Sequence, residues 1–383
     1  SDKSGLVAFA RGLADRGFEL VSTGGTARTL ESAGLPVIPI SDVTGFAEMM
    51  DGRLKTLHPK VHGGILARRG DTPHIKAATA HGITLIDLVA VNLYPFVKTG
   101  ANPATPFDAL VEEIDIGGPS MVRAAAKNFE GVLVVVSPAD YDTVLAQIDR
   151  PDGPSREFRF ELARKAFAHT GAYDTAIASE LDTVTSPDGR FRRPPLQRYP
   201  ASMTLGLRKR GDLRYGENPH QHAAWYADDA QTGLGGAELM QGKELSYTNL
   251  LDLDAALRIV LEFSEPAAAF IKHTNPCGAA IGSRPTDAYV RAREADPVSA
   301  FGAVVGLNRP IDFETAKTIV ATKIDCVIAP AVDDDARQVL ATKTQMRVVI
   351  ADFDQLEQLK TRDIRSVLGA VLVQDGDRVV EAA

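Results

Sequence analysis

Apolar positions near the start of the chain switch between two periods. Leu6, Val7, Ala10, Leu13 and Ala14 recur at helical spacing and stop at Gly17, after which Phe18 to Val21 reads as a strand. Ser22-Thr-Gly-Gly-Thr26 follows, then a helix-compatible stretch to Ala33 with Gly34 as its stop, and a short apolar strand from Val37 to Ile40. Leu85 to Val91 and Val132 to Val136 are short, nearly continuous apolar runs, as expected of strands covered on both faces. Strands alternating with helices predict a mostly parallel α/β sheet. Arg156 to Leu181 contains no proline and predicts a helix packed on this first domain.

From Thr183 to Pro200 the pattern dissolves into Ser186-Pro-Asp-Gly189, three arginines (Arg190, Arg192, Arg193) and Pro194-Pro195, which is linker chemistry. The expected boundary is near 190, giving domains of 1–190 and 191–383. Beyond it, strand-like pieces at Met203 to Leu207, Ala267 to Ile271, Val304 to Leu307, Val348 to Ile350 and Ala370 to Val373 mix with helices such as Asp252 to Phe263. The second domain is therefore also expected to be α/β.

Composition narrows the class. The 383 residues are 44% hydrophobic, enough for conventional cores in two or three domains. A formal net charge of -8 gives no general affinity for polyanions, so any phosphate site must be local. No apolar run reaches the roughly 18 residues of a membrane span, because Asp87 and Asn92 interrupt the most hydrophobic stretch. Two cysteines, Cys277 and Cys326, are too few for a disulfide framework, which points to a reducing, cytoplasmic setting. The chain opens on Ser1 without a methionine and closes on Glu381-Ala-Ala383 just after a strand-like run, so it reads as part of a longer protein.

Several groupings could carry chemistry. Thr23-Gly-Gly-Thr26, between a strand and a helix, could hold a phosphate on backbone N–H groups, or be an ordinary turn. Arg53 and Lys55, two apart, could clamp a phosphate from one side of an extended chain, or form a solvated basic loop. His58 and His62 are four apart, but Pro59 argues against the helix that would make them a metal pair. Lys127, after the helical Met121 to Ala126, is a surface lysine unless partial burial near a substrate makes it an acid or base; Tyr94 has a similar status. Lys272 and His273 fall at a strand exit and could supply a positive charge and a base, while Asn-Pro-Cys-Gly after them could be a plain turn. A zinc deaminase would offer His-x-Glu and Pro-Cys-x-x-Cys; neither is complete, so zinc is not expected.

In order and identity these motifs closely resemble the bifunctional AICAR transformylase/IMP cyclohydrolase family of purine biosynthesis. The series runs through Ser1-Asp-Lys-Ser-Gly5, Ser22-Thr-Gly-Gly-Thr26, Gly52-Arg-Leu-Lys-Thr-Leu-His-Pro59, Asn92-Leu-Tyr-Pro-Phe-Val97, Ile114-Asp-Ile-Gly-Gly118 and Arg123-Ala-Ala-Ala-Lys-Asn128. It continues through Leu213-Arg-Tyr-Gly-Glu-Asn-Pro-His-Gln221, Leu245-Ser-Tyr-Thr-Asn249, Lys272-His-Thr-Asn-Pro-Cys-Gly278, Ser299-Ala-Phe-Gly302 and Ile328-Ala-Pro330.

The resemblance implies a methylglyoxal-synthase-like first domain closing FAICAR to IMP, then an incomplete, zinc-free cytidine-deaminase-like domain moving a formyl group from 10-formyltetrahydrofolate to AICAR. It implies that Ser1, Asp2, Lys3, Thr23, Gly24, Gly25, Thr26, Arg53, Lys55, Thr56, Val91, Asn92 and Ile116 line the first site. Lys127 would transfer the proton there, assisted by Tyr94 and Asp115, in the same cavity as the Thr23–Thr26 turn. In the second site His273 would take the amine proton, Lys272 would stabilise developing charge, and Arg214, Tyr215, Asn249, Gly302 and Asp325 would contact AICAR. No metal or prosthetic group, no nucleic acid and no membrane partner is implied, and the assembly would be a homodimer. The alternatives are a cyclohydrolase-only fragment and a regulatory nucleotide-binding module without catalysis.

Overall fold

A computed structural model describes residues 2–47, 50, 53–102, 104–186, 188–193, 199, 202–228, 233–353, 356 and 362–377. Ser1 and Gly52 lie outside the described residues, as do Pro194, Pro195 and the chain end at 381–383. The chain divides into two compact units, Ser1–Leu205 and Gly206–Ala383. No described helix is long and apolar enough to cross a membrane.

Unit 1 begins with α1 (Leu6–Asp15), β1 (Val21–Ser22), α2 (Gly24–Ser32), β2 (Ile38–Pro39) and α3 (Ile40–Thr44). After α4 (Pro59–Leu66) and α5 (Thr72–Ala80) come β3 (Leu88–Ala90), α6 (Phe96–Gly100), α7 (Phe107–Glu112) and α8 (Gly117–Lys127). β4 (Leu133–Val135), α9 (Tyr141–Ile148) and the long α10 (Arg156–Leu181) complete it. Its strands form two parallel pairs, β1 with β2 and β3 with β4, as strand–helix alternation requires.

α10 spans the predicted range. Its Ser155 cap accepts from the Phe158 N–H at 3.2 Å, and Leu162, Ala163, Ala166, Thr170 and Tyr173 form its buried stripe. The small side chains of α8 (Ala124, Ala125, Ala126) let it lie close to α10 within one core that also holds β4. Asn128, buried just after α8, donates to the carbonyls of Ile65 (2.7 Å) and Ala67 (3.1 Å) and so ties the end of α8 to the end of α4. Arg193 is no solvated linker residue. Its side chain is buried, pairs with Glu180 and donates to the carbonyls of Asn102 and Thr105, anchoring the stretch after α10 to unit 1.

Unit 2 opens with a hairpin of β5 (Arg208–Leu213) and β6 (Ala223–Ala227), followed by β7 (Glu238–Gln241), α11 (Tyr247–Val260), β8 (Ala267–Lys272) and β9 (Asn275–Ile281). Then come α12 (Pro285–Ala295), β10 (Val304–Leu307), α13 (Phe313–Val320), β11 (Cys326–Ala329), α14 (Asp334–Leu340) and β12 (Arg347–Ile350). A second hairpin, β13 (Arg362–Val367) with β14 (Ala370–Asp375), ends the described chain. The main sheet has the order β7-β12-β11-β10-β8-β9. β10, β11 and β12 run parallel; β8 runs against β10 and β7 against β12.

Alternate side chains of these central strands feed two cores. Phe270, Val305, Val327 and Val348 pack with Tyr289, Ile319 and Leu340, from α12, α13 and α14. Val304, Cys326, Ile328 and Val349 pack with Leu253 and Leu257 of α11 on the opposite face. The strand expected at Met203 to Leu207 does not form. Met203, Leu205 and Leu207 are all exposed, with no sheet for either face to cover, and pairing starts at Arg208 opposite Ala227.

Candidate active sites

The first site is built at the start of α2. Thr23 stands at the N-cap but its side chain does not cap, so the leading N–H groups of the helix have no intrahelical acceptor and the dipole is positive there. Three cations converge on the two glycines. A methyl at Gly24 would lie 3.6 Å from the Lys55 ammonium, and one at Gly25 would lie 3.3 Å from Lys3 Nζ and 3.8 Å from the Arg28 guanidinium. Gly24 has φ 51°, a conformation that suits glycine and helps turn the chain into the helix. Lys3 Nζ is steered by the Gly25 carbonyl at 3.0 Å and Thr29 Oγ1 at 3.3 Å. A cavity of about 380 Å³ opens beside this cradle, lined by Thr23, Gly24, Ser41, Leu54, Lys55 and His58 among others.

The amino-terminal segment closes one flank. Asn92 donates to the Asp2 carbonyl at 2.7 Å. Two hydrogen bonds from Ser4 hold the Asp2 carboxyl below the usual carboxylate range. Tyr141, stacked on Phe9 at 4.1 Å, has its phenol pushed up by burial.

On the other flank, Thr56 lies against the first residue of α8: a methyl at Gly117 would come within 2.6 Å of Thr56 Oγ1. Asp115 accepts from the Gly118 N–H at 2.8 Å, and its own N–H donates to Tyr173 Oη at 2.9 Å. Tyr173 meets Phe96 edge-on in a small core with Leu93 and Leu110, which fixes the loops that carry Tyr94 and Asp115. Tyr94 itself is half exposed.

Three expectations need correction. Lys127 does not share the cradle cavity. It is the last residue of the 11-residue α8, roughly 16 Å along the helix from the Asp115 end, and lines a separate groove of about 890 Å³ with His62, Arg123, Phe160 and Phe167. The turn from Leu54 to His58 walls the two apart: Leu54, Lys55 and His58 line the cradle cavity, and Leu57 lines the groove. Arg53 does not join Lys55 at the cradle either. Residues 53–56 form turns, so the side-chain alternation of an extended chain does not apply, and Arg53 pairs with Glu112 at 2.5 Å. Finally, Pro59 starts a helix. It occupies the first turn of α4, where its missing N–H costs nothing, and His58 Nδ1 caps by accepting the Lys60 N–H at 3.1 Å. His62 faces the groove instead, its Nε2 buried without a partner among the described residues, and desolvation lowers its pKa.

The second site lies along one edge of the unit 2 sheet. The register places Ile271, Val304, Cys326 and Arg347 in one row across β8, β10, β11 and β12. Because β8 runs antiparallel to β10, its carboxyl end coincides with the amino ends of the other three strands. Lys272, Gly302 and Asp325 are therefore brought to a common edge. Lys272 Nζ donates to the carbonyls of Phe301 (3.1 Å) and Ser299 (3.4 Å). The Gly302 N–H donates to the Lys323 carbonyl at 2.7 Å, with Gly302 at φ 74°. Asn249, buried in the capping box that starts α11, donates to Asp325 Oδ2 at 3.0 Å. Arg347, nearly buried, places Nη1 3.0 Å from both Asp325 oxygens and donates Nε to the Glu244 carbonyl.

His273 and Thr274 form the two-residue turn between β8 and β9, with Lys272 opposite Asn275 and φ values of 55° and 64°. Such a turn normally takes Asn-Gly, and a β-branched residue in the left-handed region costs about 1–3 kcal/mol. The turn thus sits one step earlier than Asn-Pro-Cys-Gly, which belongs to β9. Arg214 lies over the Tyr215 ring at 5.5 Å in the loop between β5 and β6, and no hydrogen bond among the described residues joins either to the Lys272 edge. Sequence reasoning missed Arg28 and Arg347. Arg28 was visible as a cation one turn into the helix after Gly-Gly, whereas Arg347 carries no local signal, its partners being 22 and 103 residues away.

Comparison with known proteins defines the class. Residues 5–120 match the MGS-like domain, and residues 125–383 match the AICARFT/IMPCHase bienzyme. The chain is 48% identical, over all of its 383 residues, to the Bifunctional purine biosynthesis protein PurH of Acidithiobacillus ferrooxidans, 72% of whose length it spans. The chain belongs to the AICARFT/IMPCHase bienzyme family. A solved structure described as that of ForH is 39% identical, with a TM-score of 0.42, over 47% of this chain and 95% of its own.

Proposed function

We propose that the two units divide the last two steps of IMP synthesis, unit 2 formylating AICAR and unit 1 closing the resulting FAICAR. In unit 1 the ribotide phosphate sits on the N–H groups of residues 23–26, neutralised by Lys3 and Lys55, with Asp2 and Asn92 along the nucleotide. The Thr56, Asp115 and Ile116 end then takes the heterocycle, near Val91 and Tyr94. Ring closure is attack of the carboxamide nitrogen on the formyl carbon with loss of water, and holding both groups of one molecule in contact supplies much of the rate. Lys127 lines the adjoining groove and not the cradle cavity, so the proton-transfer role implied for it requires the formyl end of FAICAR to reach that groove. The convergence of three cations on an uncapped, glycine-opened helix start carries this reading.

In unit 2 the AICAR amine attacks the formyl carbon of 10-formyltetrahydrofolate, which is a co-substrate and not a resident group. His273 accepts the amine proton while Lys272 stabilises the charge developing on the formyl oxygen, and the folate nitrogen leaves. Asn249, Gly302 and Asp325 hold AICAR at the sheet edge, with Arg214 and Tyr215 contributing from their loop. The same reading carries a cytoplasmic homodimer.

Supplying FAICAR alone, and separately AICAR with the formyl donor, tests the division. IMP from the first and FAICAR or IMP from the second are expected. Tight binding of FAICAR without turnover would replace the reading with a nucleotide sensor, and turnover of FAICAR only would leave a cyclohydrolase.

A further inference from the structure

We infer that Asp252 is a positioning residue for formyl transfer, fixing the turn that presents His273; this rests on the reading of His273 as the proton acceptor. The first turns of α11 face the site edge with two polar groups three residues apart, on one side of the helix. Asn249 reaches Asp325, and Asp252 Oδ1 accepts the Thr274 N–H at 2.7 Å.

That second contact meets a specific need. His273 and Thr274 are both left-handed, a conformation uncommon outside glycine and strained for the β-branched Thr274, so something must over-determine it. Three hydrogen bonds do so. Thr274 Oγ1 and Asn275 Nδ2 both donate to the His273 carbonyl, at 2.7 Å and 2.8 Å, but these join residues of the same turn and move with it. Asp252 is the one of the three that comes from another element, 22 residues away. It ties the turn to the helix that also holds Asp325, so the base and the residues proposed to hold the nucleotide share one rigid reference. A base displaced by about 1 Å can cost roughly 10²-fold in rate, whereas the residues proposed to hold AICAR keep their own contacts. Asp252 never touches substrate in this account.

The test uses the intact protein with formyl transfer and FAICAR cyclisation assayed separately. Asp252→Ala is expected to lower kcat for formyl transfer at least 10-fold, with KM for AICAR and cyclisation each within 3-fold of the parent. Asp252→Asn keeps an oxygen that can accept the Thr274 N–H, and is expected to recover kcat to within 3-fold. Amide exchange at Thr274 should accelerate in the alanine variant and return to the parent rate in the asparagine variant. Unchanged kcat in Asp252→Ala overturns the inference, as does a rise in KM alone. Should the alanine variant fail to fold, Asp252→Asn decides: kcat near the parent value supports the acceptor role, and a 10-fold loss in a folded protein overturns it. His273→Ala separates the two claims. If it retains formyl transfer, the reading of His273 fails; if it is inactive while Asp252→Ala is fully active, only the positioning role fails.

Discussion

In unit 1 the charged groups stand on segments outside the helices and strands: Lys3 ahead of α1, Lys55 in a run of turns, and Asp115 just before α8. In unit 2 they stand on or beside the sheet. Lys272 ends β8, Asp325 immediately precedes β11, and Arg347 begins β12, all within one register. The first arrangement gathers positive charge around a helix start and leaves space beside it for a nucleotide. The second leaves little freedom, because Gly302, Asp325 and Arg347 each donate a backbone N–H to a neighbouring carbonyl. Recognition of a phosphate tolerates mobile lysines, since a point charge needs little orientation. Proton removal from a weakly nucleophilic amine does not, and in the role we propose for His273 a strained hairpin locked by hydrogen bonds answers that demand.

The largest effect that sharpens this contrast is expected from Lys272→Met. Loss of the charge beside the developing oxyanion should lower formyl transfer roughly 10²–10³-fold while FAICAR cyclisation proceeds normally, read from the two assays on one preparation. A parallel fall in both would mean that the sites are not independent.

Lys127→Ala should come next. Its place beyond the Leu54–His58 wall predicts unchanged IMP affinity in a titration, and a proton-transfer role predicts a kcat for cyclisation lower by roughly 10²-fold. Weakened IMP binding would put the side chain in the cradle; undiminished kcat would remove it from the chemistry.

A smaller effect separates the two cores. Tyr289 is fully buried in unit 2 with its hydroxyl 2.6 Å from Thr322 Oγ1, and burial raises its pKa to about 12. The folded state holds this proton more tightly than the unfolded chain does. The resulting stability is therefore complete below about pH 10 and is lost as pH climbs through 12, about 3 kcal/mol in all. Denaturant midpoints compared at about pH 9 and about pH 11 should fall for unit 2, and less so in Tyr289→Phe, which has no phenol to ionise. Equal slopes in the two proteins would dismiss the effect.

How far the sequence could be read depended on whether a feature was local. The bounds of α10 follow from a long proline-free stretch that opens after a capping serine, and β10 from Val304, Val305 and Leu307 around Gly306, all buried. The Gly-Gly start of α2 and the Lys272-His273 strand exit were legible for the same reason: strand, glycine and charge adjoin in sequence. Positions set across the fold were not. The length of α8 carries Lys127 away from Asp115, an outcome no single-residue argument contains. The pairing of Arg53 with Glu112 depends on where α7 ends, and the grip of Arg347 on Asp325 on strand order. Pro59 misled because proline breaks a helix interior but is welcome in its first turn.

We place the phosphate seat of unit 1 at the start of α2, with Lys3 and Lys55, and expect it to act independently of formyl transfer in unit 2. Calorimetric titration of IMP into the parent protein and into Lys55→Met tests it most directly. Affinity should weaken by roughly 10-fold or more, the loss of about 1.5–3 kcal/mol for a charged contact, with formyl transfer from 10-formyltetrahydrofolate to AICAR unaltered. Unchanged IMP affinity in a folded Lys55→Met protein would contradict it.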